Sequence, residues 1–184
     1  MISSAAKWRN QIKKITRLLA LAYLCLTPYA FAEDKELVTQ SAVQLKEKGF
    51  VACAHAVDDI ANFVFQSDFA YLNLWNQTNV DKHAVLVTGA KTYTSGKSLL
   101  TITATESQVG TCDASFTLVM PFAQDCAQLR QTALKEWNFY SDKLDGVPVY
   151  EDPNTPTVNL TLEPFQGGCI VVKTGLFFLS REKQ

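Results

Sequence analysis

The sequence predicts an α+β domain with two N-terminal helices, a mostly antiparallel sheet of about five to seven strands and one inserted helix, the helices lying on one face. Three observations carry that expectation. Apolar residues recur at helical spacing between Glu36 and Phe65, β-branched and aromatic residues dominate from Asp68 onward, and a clear hairpin turn sits at Tyr93-Thr94-Ser95-Gly96-Lys97-Ser98.

The first helix is expected over Glu36–Lys48. Val38, Ala42 and Leu45 share a stripe, acids lie at its start, Lys46 and Lys48 near its end, and Gly49 stops it. A second helix over Ala52–Phe65 places Cys53, Val57, Ile60 and Val64 toward a core. Strands follow over Phe69–Trp75, Ala84–Tyr93, Leu99–Thr105 and Ala114–Phe122. Phe116, Leu118, Met120 and Phe122 alternate with Ser115 and Thr117, so one face of the sheet is buried and the other more polar, as in antiparallel sheets. Asp125 with Gln128 resembles a capping pair, opening a helix whose stripe is Cys126, Leu129, Ala133 and Trp137. The chain then reads as irregular through Asp142–Gly146 and Glu151–Pro156. Two last strands, Thr157–Leu162 and Cys169–Phe178, are joined by a turn around Pro164 and Gly167-Gly168. No internal repeat, low-complexity tract or second domain is visible.

Ahead of this domain, residues 1–32 read as a cleavable secretory signal. The segment holds no Asp or Glu. Lys7, Arg9, Lys13, Lys14 and Arg17 precede the apolar run Leu18–Leu26, and Ala30-Phe31-Ala32 supplies a small-x-small cleavage site. The apolar run is shorter than the ~18–20 residues of a membrane span, and Leu24 is too large for a lipoprotein site at Cys25. Cleavage leaves a single domain over 33–184 with no membrane span, placed in the periplasm or secreted. Five of the 17 basic residues leave with the signal, so the mature chain has 12 basic against 18 acidic residues and a net charge of −6. No Lys/Arg run remains, which argues against nucleic acid or an anionic membrane as partner.

Cys25 also leaves, and Cys53, Cys112, Cys126 and Cys169 remain. An even number in an exported chain favours two disulfides, whereas a zinc site would call for C-x-x-C pairs that are absent. A strand over Ala114–Phe122 would hold Cys112 and Cys126 apart, so the expected pairing is Cys53–Cys126, joining two helices, and Cys112–Cys169, joining the starts of two strands.

Chemistry-bearing motifs are few. His55 stands three and four residues before Asp58 and Asp59, which reads as a polar helix face rather than a metal or proton-transfer site. His83 sits beside Asp81 and Lys82 in an expected turn. There is no H-E-x-x-H, G-x-S-x-G or S-x-x-K pattern, and Gly167-Gly168 precedes a strand rather than a helix, so no metal, cofactor or catalytic residue is assigned. Asn76-Gln77-Thr78 and Asn159-Leu160-Thr161 match the glycosylation pattern, which often arises by chance. Aromatics and acids gather near the long irregular connection, and Tyr140, Tyr150, Glu151 and Asp152 are the expected binding contacts. The run Tyr71–Gln77 could stack on a sugar, although core packing explains it more simply. The favoured function is a small non-catalytic binding module whose partner is another envelope or secreted protein. A small-ligand binder and a hydrolase with a site dispersed through the sequence are the alternatives.

Overall fold

The structure is a computed structural model that describes residues 36–180 apart from 67, 95 and 109. The signal expected over residues 1–32, with Cys25, lies outside the described residues.

The first helix is shorter than its periodicity suggests: α1 spans Gln40–Glu47. The reason is tertiary. The buried Asp58 carboxylate accepts hydrogen bonds from the Val38 and Thr39 backbone N–H groups and from the Thr39 hydroxyl, holding the chain extended before α1. At the other end Gly49 takes φ 101°, and the Phe50 N–H donates back to the Leu45 carbonyl at 3.0 Å. A residue without Cβ is favoured there, and Gly49 ends the helix as expected. The second helix, α2, spans Ala54–Phe65, and its C-terminal carbonyl of Phe65 accepts from the Lys91 ammonium.

Eight strands follow: β1 Ala70–Leu74, β2 Val85–Tyr93, β3 Gly96–Gln108, β4 Thr111–Phe122, β5 Asn138–Leu144, β6 Val147–Asp152, β7 Thr155–Phe165 and β8 Gly168–Ser180. A 3₁₀ turn at Val80–Lys82 precedes β2, and a short helix α3, Cys126–Gln131, separates β4 from β5. All strands form one antiparallel sheet ordered β1-β2-β3-β4-β8-β7-β6-β5. Each half is thus a four-strand meander, and the last strands of the two meanders meet in the middle.

The expected count of five to seven strands is corrected to eight. The two unforeseen strands, β5 and β6, were hidden because Asp142–Gly146 and Glu151–Pro156 read as irregular. Asp145 and Gly146 both have positive φ, 49° and 80°, and make the tight turn between β5 and β6. An Asp-Gly pair is a hairpin signal, but the half-buried strands on either side of it lack the alternation that would have turned it into one. At the next turn Asp152 Oδ1 accepts from the Asn154 N–H at 2.9 Å, and Asp152 pairs with Thr155 across β6 and β7.

One face of the sheet carries the core. Val85, Val87, Leu100, Ile102, Ala114, Phe116, Leu118 and Val158 pack beneath α1 and α2 with Leu45, Phe50, Val57, Ile60 and Phe65. A second, smaller cluster joins Leu129 of α3 to Leu160, Leu162 and Val171. Gly175 belongs to the same face because a Cβ there would collide with the Phe116 ring, which stacks on Phe177 with centroids 6.0 Å apart. The helix α3 opens with the expected cap, Asp125 Oδ1 accepting from the Gln128 N–H at 2.7 Å. It ends early: the Arg130 guanidinium donates to the carbonyls of Leu134 and Trp137, satisfying a non-helical segment where the apolar stripe suggested a continuing helix. Among the described residues no helix is long and apolar enough to cross a membrane.

The four cysteines among the described residues form disulfides, but the pairing is Cys53–Cys112 and Cys126–Cys169, with Cα–Cα distances of 5.6 and 5.0 Å. This corrects the expected Cys53–Cys126 and Cys112–Cys169. Because β4 and β8 run antiparallel, Cys112 lies opposite Leu179, and Cys169 lies opposite Phe122. The starts of those strands are therefore some ten residues apart along the sheet, roughly 33 Å. One bridge staples the start of α2 to one end of β4. The other staples α3 to β8 at the opposite end.

Candidate binding surface

The four sequence-selected contacts lie on β5 and β6, on regular strands rather than in a loop. Tyr140 is 66% exposed on β5, the outermost strand of the sheet, beside Phe139 at 60%. Tyr150 is half-buried on β6, edge-on to Phe139 with centroids 6.0 Å apart, and the Arg130 guanidinium stands 4.8 Å above its ring. Arg130 is itself held by two backbone carbonyls, so the planar stack is pre-oriented. Glu151 lies between Asn138 and Asn159 in the neighbouring strands, one position from Tyr150 and therefore on the other face. Asp152 closes the following turn. The structure therefore brings Tyr150 close to Phe139 and Arg130, and separates Glu151 from them by the thickness of the sheet.

Sequence reasoning missed two partners of Tyr150. Arg130 belongs to an expected helix whose charge gave no hint of a stacking role, and Phe139 stands among the aromatics near the irregular connection without a contact role of its own. Arg130 and Tyr150 line an open cleft of about 500 Å³ together with Cys126, Asp145, Pro148 and Leu162, among others. The Cys126–Cys169 bridge fixes α3 against β8 and so sets one wall.

Further in on the same face, Lys173 sits between the Phe63 and Trp137 rings, its ammonium 5.1 and 5.3 Å from their centroids. Burial pushes its pKa below the ordinary value, and the Asp152 carboxylate partly offsets that by favouring the charged form.

The histidines stand apart from the cleft. His55 is half-buried on α2, where its neighbour Asp58 is committed to the start of α1, and His83 is exposed just after the 3₁₀ turn. No group of three or more His, Cys, Asp or Glu side chains able to hold a metal ion occurs among the described residues. In the Tyr71–Gln77 run, Asn73 is buried and bonded to Ser41 and Gln44, tying β1 to α1. Tyr71, Leu72 and Leu74 are exposed, so the expected core packing of the run holds for Asn73 but not for them.

No family model, curated protein or solved structure matches this chain.

Proposed function

We propose that this chain is an exported, non-catalytic binding module of the periplasm or the extracellular space, and that it takes an extended segment of another envelope or secreted protein along β5. The observation that carries the reading is the character of that edge strand. Among the described residues β5 is the last strand of the sheet, with β6 on one side and no strand on the other. It also presents Phe139, Tyr140 and Leu144, all at least 59% exposed. The charged residues of β5, Asp142 and Lys143, stand toward its turn end, and an open ladder along the rest can template another chain. Strand addition uses that ladder for affinity and alternate side chains for selectivity. Aromatic anchors suit it, since they bury much area at low entropic cost.

The surroundings suggest the chemistry of the incoming segment. Asp142, Asp145, Glu151 and Asp152 lie on or beside β5 and β6, within a mature chain of net charge −6 expected after cleavage. A segment with apolar side chains at alternate positions and Lys or Arg between them fits this edge. The two disulfides support an oxidising compartment.

The test is capture from envelope extract of the native host with disulfide-intact protein, comparing wild type, Phe139→Ala/Tyr140→Ala and Tyr140→Lys. A lysine on an edge strand disfavours the addition of another strand. Expected is one partner retained by wild type and reduced at least roughly ten-fold by both variants, with unfolding midpoints close to wild type for the alanine pair. Equal retention by all three sinks the edge reading. The second reading, a small-ligand binder, is favoured by the cleft beside Tyr150 and Arg130. Its signature is a ligand-dependent thermal shift abolished by Tyr150→Ala but not by Tyr140→Lys.

A further inference from the structure

Among the described residues the three helices and both disulfides lie on one face of the sheet, and no element packs on the opposite face. Its rows can be read from the register. One runs Ala90, Leu99, Val119, Val172, Thr161 and Val149 across β2, β3, β4, β8, β7 and β6. The next toward the other end is a row of hydroxyls, Thr88, Thr101, Thr117 and Thr174, with Asn159 beyond it. Leu74, Leu86 and Leu176 belong to the row after that, and Phe178 stands further on. Leu72, Leu74, Leu99, Leu176 and Phe178 are between 44% and 67% exposed. A solvated sheet face normally alternates toward charge, whereas this one is apolar and threonine-rich with charges only near its margins.

We propose that a second copy of this chain covers the open face, sheet against sheet, about a two-fold axis that runs along the seam between β4 and β8. Two arguments select a second copy over an unrelated occupant. The first is charge complementarity. Lys97 stands two positions before Leu99, and Leu99 pairs with Val119, so Lys97, Pro121, Ile170 and Glu163 form one row. Lys97 on β3 and Glu163 on β7, both exposed, are therefore each one strand outside the central pair, on opposite sides. Rotation about the seam carries Lys97 of one copy over Glu163 of the other, twice per dimer. A self-complementary patch of this kind is what a two-fold interface requires. Aligned sheets cross at about 30° and lie about 10 Å apart, a distance two long side chains can bridge. Glu151 falls in the threonine row and comes over Thr88, a hydroxyl partner, while Asp113 stays at the rim near Phe178.

The second argument is area. Six strands, β2 to β6 across the seam, span about 29 Å, and some seven residues along each add about 23 Å. The face offers roughly 650–700 Å² per copy, or about 1,300 Å² in total, inside the range of stable specific interfaces. It leaves β5 free at the sheet's edge, so the dimer and the strand-addition site are compatible.

The experiment measures the mass of the exported, disulfide-intact protein by sedimentation equilibrium between about 1 and 100 μM. Wild type is expected at twice the chain mass. Lys97→Glu and Glu163→Lys each bring like charges together and should weaken dimerisation at least about ten-fold, and the double variant should return it to within a few-fold of wild type. Val119→Asp, checked by circular dichroism for an intact fold, should be a monomer. A single-chain mass for wild type at the highest concentration overturns the proposal. So does a dimer that survives Val119→Asp, or a charge-swapped double variant no tighter than the singles.

Discussion

At the scale of single residues, buried polar groups define this molecule more sharply than any surface motif. Asp58 is 1% exposed yet accepts three donors from the segment before α1, and an uncompensated carboxylate at that depth would be strongly unfavourable. Asn73 does the same for β1 and α1. Lys173 is a milder case, with aromatic faces on two sides. Its folded pKa is lowered, so between that lowered value and 10.5 the unfolded chain binds more protons than the folded one. The penalty is fully present below the folded pKa and is relieved as pH rises toward 10.5. Wild type is therefore expected to gain stability relative to Lys173→Met over that window, read from denaturant midpoints from neutral to alkaline pH. A difference that stays flat or moves the other way would show that the ammonium is no less hydrated in the fold than in the unfolded chain.

Among the elements, the two disulfides act on different pieces. Cys53–Cys112 closes 59 residues and ties the helical layer to β4, while Cys126–Cys169 closes 43 and ties α3 to β8. In the chain-entropy picture loops of these lengths stabilise by about 4 kcal/mol each. Replacing Cys126 and Cys169 together by Ser should cost about that much in denaturant unfolding and loosen the wall of the Tyr150 cleft. Non-reducing peptide mapping of the parent should return Cys53–Cys112 and Cys126–Cys169 peptides. Much of the element pattern was legible beforehand: α2, β2 and β4 follow their periodicity because each buries a single face. β5 and β6 were not, since Asp, Pro and Gly at their turns masked short strands whose inner residues are only half-buried.

For the whole molecule, the seam between β4 and β8 decides how the two meanders behave. They pair along the full length of β4, from Thr111 opposite Ser180 to Phe122 opposite Cys169. Phe116 and Trp137 lie in or against the larger cluster, and Trp137 also packs on the smaller one. Neither meander keeps its buried face covered alone, so thermal unfolding is expected as one transition, with calorimetric and van't Hoff enthalpies equal after allowance for dimer dissociation. Two resolved transitions would show the halves to be separate folding units. The open outer face enters at this scale as well, because a sheet apolar on both sides is only half a finished structure.

Composition, periodicity and cysteine number alone determined the class of fold, the order of most elements, the two-disulfide framework and the expectation of export. These are local or additive properties: a helical stripe, an alternating strand and an even cysteine count can each be read without knowing what lies across the sheet. Which cysteines meet, that Asp58 holds the segment before α1, and that Tyr150 stacks under Arg130 were decided only by tertiary structure. Each depends on strand direction and register, and the antiparallel return of β8 along β4 puts Cys169 beside Cys126 instead of Cys112. The same register sets Lys97 and Glu163 on either side of one seam.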